Sequence, residues 1–134
     1  MITLEYFTNK DFTELMAWVS DEEILMNWSG ALFSFPLTQS SMEWYIEDVN
    51  DIKNSEAFIY KAIHAETGKT VGHISLGGIS KKNRAGRISR VLVAPEHQGK
   101  GYCRQMVSAV LKIGFEDLQL HRICLGVYDF NKAA

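Results

Sequence analysis

Four consecutive residues, Gln98, Gly99, Lys100 and Gly101, stand between an apolar run and an amphipathic one. Upstream, Ile88 to Val93 is rich in β-branched residues, which suit a pleated, buried surface. Pro95 ends that run, because proline has no N–H to give to a sheet ladder. Downstream, Met106, Val107, Val110, Leu111 and Phe115 recur at helical spacing. A strand, a glycine turn and a helix start together make an anion site. The first N–H groups of a helix have no partner inside it, and the helix dipole adds partial positive charge there. Glycine lets a phosphate reach the backbone with no Cβ in the way. The turn is therefore expected to hold a phosphate or pyrophosphate, against the plainer reading of an ordinary strand–helix connection.

One familiar phosphate-binding motif is excluded and a second fits poorly. No Ser or Thr follows a Gly-Lys pair at the spacing of a Walker loop. Gly99-x-Gly101 has no third glycine three residues on and no parallel βαβ unit around it, so it is a poor dinucleotide fingerprint. What the run Gln98-Gly99-Lys100-Gly101-Tyr102-Cys103 resembles, preceded by Val93-Ala94-Pro95, is the signature of the GNAT N-acetyltransferases: Gln or Arg, two residues, Gly, one residue, then Gly or Ala. Cys103 stands where the family has glycine or alanine. Leu120 to Val127 followed by Asn131-Lys132-Ala133-Ala134 is similar to the family's later strand and its N-x-x-A motif. Ala94 to Gly101 resembles the branch that contains the spermidine and ribosomal-protein N-terminal acetyltransferases.

The resemblance implies an α/β sandwich with a mixed, mostly antiparallel sheet flanked by helices. It also implies direct transfer of an acetyl group, in a ternary complex, from acetyl-CoA to a primary amine: a polyamine, a protein N-terminus or another small amine. In such a fold the backbone of Leu92 and Val93 holds the acetyl-pantetheine arm, an oxyanion-hole device. Gln98, Gly99, Lys100, Gly101, Tyr102 and Cys103 hold the pyrophosphate, Arg104 adds charge support, and Asn131 touches the pantetheine. No metal is implied. Several branches carry a glutamate on the strand before the turn; here that strand reads Arg87-Ile88-Ser89-Arg90-Val91, with no carboxylate. His73 is a candidate base because histidine titrates near neutral pH, although a half-buried strand histidine is the commoner cause of such a residue. Tyr128, next to Asp129, is a second candidate near the expected amine entrance. Cys103 at the helix start suggests an acyl-cysteine, a route set aside because the position is the family's small packing site.

The elements that must position these residues follow from the pattern. Ile2 to Phe7 reads as a strand. Phe12, Leu15, Met16 and Val19 follow helical spacing. Ser20 to Glu23 reads as a capping box with Ser20 as the cap, ahead of a short helix broken at Asn27 to Gly30. Thr38 caps a third helix with Met42, Tyr45, Ile46 and Val49 on one face. Trp18, Trp28 and Trp44 read as core. After Asn50 the period changes to two: Phe58, Tyr60, Ala62 and His64 alternate with Ile59, Lys61 and Ile63, Glu66 to Lys69 turns the chain, and Val71 to Ile79 returns. Gly86 to Val93 completes a meander, and Arg122 to Val127 is a last strand.

With 134 residues, 46% of them hydrophobic, the chain makes one domain, residues 1–134. The family continues past the N-x-x-A motif with a helix and two strands, and that helix often carries a tyrosine that protonates the departing thiolate. The domain is accordingly expected to be incomplete at its C-terminus. The edge of the last strand would be open and Phe115, Leu118 and Leu120 uncovered, so a homodimer is expected to complete the sheet. A net charge of −2 offers no basic surface for nucleic acid. No apolar run spans a membrane, and no signal peptide opens the chain. Cys103 and Cys124 read as thiols of a reducing cytoplasm rather than a disulfide framework. Asp21, Glu22, Glu23, Glu43, Glu47 and Asp48 suit a cationic acceptor, though a solvated acidic face is the usual source of such a run. Two other functions remain open: a coenzyme A-binding protein with impaired catalysis, and an oligomerisation module.

Overall fold

The computed structural model describes residues 1–126 and 128–131. Ten elements follow in order: β1 (Ile2–Tyr6), α1 (Phe12–Trp18), α2 (Glu22–Ser29), α3 (Gln39–Tyr45), β2 (Phe58–His64), β3 (Thr70–Ser80), β4 (Ala85–Val93), α4 (Tyr102–Lys112), β5 (Arg122–Leu125) and β6 (Tyr128–Asn131). The six strands lie side by side in sequence order. Every neighbouring pair is antiparallel except β4 and β5, which are parallel because α4 carries the chain back across the sheet.

The period-two pattern of β2 sorts its side chains between two cores. Phe58, Tyr60 and Ala62 join Leu76, Ile88, Ile123 and the Met106 and Val110 stripe of α4. Ile59 faces the other way, into Phe7, Phe12, Leu15, Trp28, Met42 and Tyr45 from the first three helices. Lys61 shares that second face, where its amine meets Asp11 at 2.9 Å. The sheet is thus the middle of three layers, which explains why β3 is buried almost without a break, its His73 and Ser75 included. Gly72 on β3 lets α4 seat closely: a Cβ there would lie 2.6 Å from the Met106 sulfur and 2.9 Å from the Leu92 carbonyl oxygen.

Several expectations need correction. Asp21, not Ser20, caps α2, its carboxylate accepting from the Ile24 N–H at 2.8 Å. Thr38 does cap α3, in a reciprocal pair with Ser41, but the helix ends at Tyr45, so Ile46 and Val49 pack on the core from beyond it. Trp18 and Trp28 are core, whereas Trp44 is 56% exposed. The strand expected to run to Val127 stops at Leu125. Gly126, with φ +56°, turns the chain, and β6 pairs along the outer edge of β5, Leu125 opposite Tyr128 and Arg122 opposite Asn131. The edge of β5 is therefore covered. Leu120 is buried, and Phe115 and Leu118 pack against the core. Val127, Lys132, Ala133 and Ala134 lie outside the described residues.

Candidate active site

The register between β3 and β4 breaks where the chemistry was expected. His73 lies opposite Leu92 and Ser75 opposite Ser89, so two steps along β3 answer three along β4. The extra residue is a β-bulge, which bends a strand and sharpens its twist. Arg90, inside it, has φ +51°, a value uncommon for a side chain of this size. The Trp28 indole N–H donates to the Arg90 carbonyl oxygen at 3.0 Å and fastens the bulge to α2.

The bend opens the sheet. β5 pairs with β4 only over Ala85 to Arg87. Past the bulge, the β5-side edge of Leu92 and Val93 meets no strand among the described residues. The Ala94 N–H donates to the Val71 carbonyl at 2.8 Å, so by strand alternation the Val93 N–H points the opposite way, into the gap. A backbone donor at a wedge between two strands suits a polarised carbonyl and an extended arm.

The gap leads to the glycine turn. After a single 3₁₀ turn at Pro95–His97, the Gln98 side-chain amide donates to the Val93 carbonyl oxygen at 3.3 Å, tying the turn to the strand end. Gly99 and Gly101 both have φ +79°, and a Cβ at either would meet nothing within 4 Å. Handedness demands glycine here, and the space over the turn is open. Gly101 is the N-cap of α4 and offers no side-chain cap, unlike Asp21 and Thr38. The first-turn N–H groups of α4 are thus left for an anion, and the arrangement fits a pyrophosphate. Tyr102 is half-buried, edge-on to His64 and His97. Lys100, Cys103 and Arg104 are exposed.

On the face of the sheet covered by α1 to α3, a cleft of about 420 Å³ opens between α3 and strands β2 to β4. Tyr45, Ser75 and Arg90 are among its polar lining, Leu32, Trp44, Val49 and Ile59 its apolar lining, and Glu47 and Asp48 are also on its wall. Below it lies His73, 1% exposed and edge-on to Phe7 and Trp28. Its Nε2 is 2.9 Å from the Tyr45 hydroxyl, and its Nδ1 has no partner. Burial, with Arg90 acting in the same direction, holds the His73 pKa down to about 3, so the ring is neutral. Burial pushes the Tyr45 hydroxyl up to about 12 against a smaller opposing pull from Arg90.

The structure therefore brings Leu92, Val93 and the residues from Gln98 to Arg104 along one line, with His73 beside Leu92 across the ladder. Tyr128 and Asn131 open and close β6. Of the six acidic residues, Glu47 and Asp48 reach the cleft, while the Asp21 carboxylate is spent as a helix cap. Sequence reading missed Tyr45, Ser75 and Arg90. The one faint signal was Arg90, a second arginine on a strand that also carries Arg87.

Three comparisons bear on this arrangement. The profile of the family described as the acetyltransferase (GNAT) domain matches residues 2–134. A spermidine N(1)-acetyltransferase of Vibrio cholerae is 29% identical over 101 residues, 68% of this chain and 58% of the relative; the chain thus spans less than two thirds of that curated relative. Among solved structures, a spermidine N-acetyltransferase from Vibrio cholerae in complex with CoA and spermine superimposes with a TM-score of 0.75 at 21% identity, covering 92% of this chain and 69% of the other. A chimeric form of a V. cholerae spermidine N-acetyltransferase gives 0.73 at 22% identity, covering 92% and 69%. At that identity the two structures speak for the fold.

Proposed function

The chain belongs to the GNAT acetyltransferase family, and on that premise we propose that it transfers an acetyl group from acetyl-CoA to a small primary amine within a ternary complex. The observation that carries the reading is the continuous line from the bulged strand through Val93 to the uncapped, glycine-led start of α4. Bound acetyl-CoA supplies the thioester carbonyl that the amine attacks. The Val93 N–H polarises that carbonyl from the wedge. The N–H groups that follow Gly101 take the pyrophosphate, with Gln98 bracing the turn and Lys100 and Arg104 adding positive charge at its mouth. Asn131 stands opposite Arg122, at the end of β5 remote from the wedge, and no pantetheine contact is proposed for it.

The amine must be neutral to attack, and a lysine-like amine has a pKa of about 10.4. As a base, His73 takes a specific form here. Its Nε2 faces the Tyr45 hydroxyl, so a proton from the cleft reaches it only through that hydroxyl. The depressed pKa makes it a weak acceptor, and solvent at the cleft mouth shares the work. Tyr128 serves as the second candidate for proton transfer. The acceptor amine enters by the cleft lined by Glu47 and Asp48; the V. cholerae relative is named for a polyamine, spermidine, and a panel of amines tests that class alongside other primary amines. A reducing cytoplasm suits the exposed Cys103 thiol. Any self-association would use the outer edge of β6, since β5 is already covered; light scattering at micromolar concentration decides it, a clean monomer being the contrary result.

The test is thiol release from acetyl-CoA over a panel of primary amines. Amine-dependent release that Tyr128→Phe slows supports transfer and the role of Tyr128. Coenzyme A binding without release for any amine supports the second reading, a binding protein with impaired catalysis, which the absence of a carboxylate on β4 favours.

A further inference from the structure

We infer that Arg90 is a specificity residue, and that the acceptor is a small amine bearing a carboxylate, an amino acid or short peptide with an apolar body, rather than a polycation. The inference rests on the acetyl-transfer reading and names the substrate class of the same cleft.

Arg90 is a permanent charge set into the wall of the cleft. Its Nε is buried with no hydrogen-bond partner, and among the described residues no carboxylate oxygen lies within 4 Å of it. Its guanidinium carbon sits 5.5 Å from the centre of the Tyr45 ring, and the guanidinium also acts on the Tyr45 hydroxyl; these contacts orient the group but supply no negative charge to balance it, and Nε stays unanswered. A partly buried guanidinium is ordinarily paired. The backbone supports the same reading. Arg90 lines the cleft from a position that holds φ +51° in a bulge fastened by Trp28, and strain of this kind clusters at ligand sites.

A guanidinium fork matches a carboxylate two-pronged, which a polyamine cannot provide. It repels a polyamine instead. Glu47 and Asp48 give the same cleft negative charge, so the cleft offers both signs, the pattern of a zwitterion. Leu32, Trp44 and Ile59 give the acceptor an apolar bed. At about 3.3 Å per residue, Leu92 lies on the order of 7 Å along β4 from Arg90. An amino acid or dipeptide spans that distance together with the reach of the arginine side chain.

The experiment is calorimetric binding to the full chain, with and without coenzyme A, at one pH. The probes are L-phenylalanine, L-phenylalaninamide, glycyl-L-leucine, glycyl-L-leucinamide and spermidine. At least one acid should bind tenfold or more tighter than its amide, and tighter than spermidine. Arg90→Gln should bring that ratio near one, and Arg90→Lys should keep part of it. Arg90→Asn, whose side chain tolerates positive φ, repeats the loss in a bulge of unchanged geometry, checked by its melting temperature. Equal binding of acids and amides, preference for spermidine, a ratio unchanged in Arg90→Gln, or no binding of either acid in either state overturns the inference. Failure to bind coenzyme A while an acid still binds through Arg90 counts against acetyl transfer alone.

Discussion

The indole N–H of Trp28 reaches the carbonyl oxygen of Arg90 at 3.0 Å, joining α2 to the bulge of β4 across 62 residues of chain. That bond fixes the point at which β4 parts from β5. Its neighbours are other aromatic rings, Phe33 stacked on the indole at 5.8 Å and Tyr45 edge-on at 6.0 Å, neither of which offers the Arg90 carbonyl an N–H in its place. Trp28→Phe keeps an aromatic ring and removes the N–H. It should lower stability by about 1–3 kcal/mol, the range for a buried acceptor left unanswered. Urea unfolding measures the change. Since the lost bond positions the strand that carries Leu92 and Val93, coenzyme A affinity should fall with it; full stability with unchanged affinity would show that the bulge stands without α2.

His73 makes stability depend on pH. In the unfolded chain a histidine titrates near 6.5, and in the fold burial holds it to about 3. Between those values the unfolded chain binds a proton that the folded one does not, so stability is full above about pH 6.5 and is lost as pH falls toward 3. One such proton gives a slope of about 1.4 kcal/mol per pH unit. His73→Gln keeps a hydrogen-bonding partner for Tyr45 and removes the titration. Its urea midpoint should vary less between pH 6.5 and 5 than that of the parent chain. Identical slopes in the two proteins would place the acid sensitivity elsewhere.

Gly72 links packing to the site. A methyl group there would press on the carbonyl of Leu92 at 2.9 Å as well as on the Met106 sulfur at 2.6 Å. The thioether yields readily; the strand backbone does not. Gly72→Ala should therefore cost about 1–3 kcal/mol, as overpacking does, and should displace the strand segment that faces the wedge. Gly77 serves as comparison, because a Cβ there meets only Ala57 at 3.7 Å. Gly77→Ala should be close to neutral in the same denaturation assay.

Which parts of this were legible in the sequence follows from how local each signal is. Strand, turn and helix around Gly99 and Gly101 were readable because glycine spacing, Pro95 and the Met106 to Phe115 stripe each act within a few residues. The bulge was not, since it exists only as a mismatch between β3 and β4. Without it Arg90 reads as one polar residue in a strand and Tyr45 as one more core position on α3. The end of β5 misled for a related reason. Apolar residues continue to Val127, but Gly126 takes φ +56° and turns the chain back, a choice set by the pairing of Leu125 with Tyr128.

The glycine turn itself gives the sharpest test, because two glycines in the chain share one backbone strain and differ in place. Gly101 has φ +79° at the start of α4, and Gly68 has φ +73° in the hairpin between β2 and β3; a Cβ at either meets nothing within 4 Å. Valine at either position must hold a left-handed backbone, which costs on the order of 1–3 kcal/mol. Gly68→Val and Gly101→Val should thus lose similar amounts of stability. Only Gly101→Val puts its side chain where the pyrophosphate approaches the first-turn N–H groups. Calorimetry should show coenzyme A binding weakened tenfold or more in Gly101→Val and unchanged in Gly68→Val. Equal affinity in the two variants, at matched stability, would remove the pyrophosphate from the start of α4.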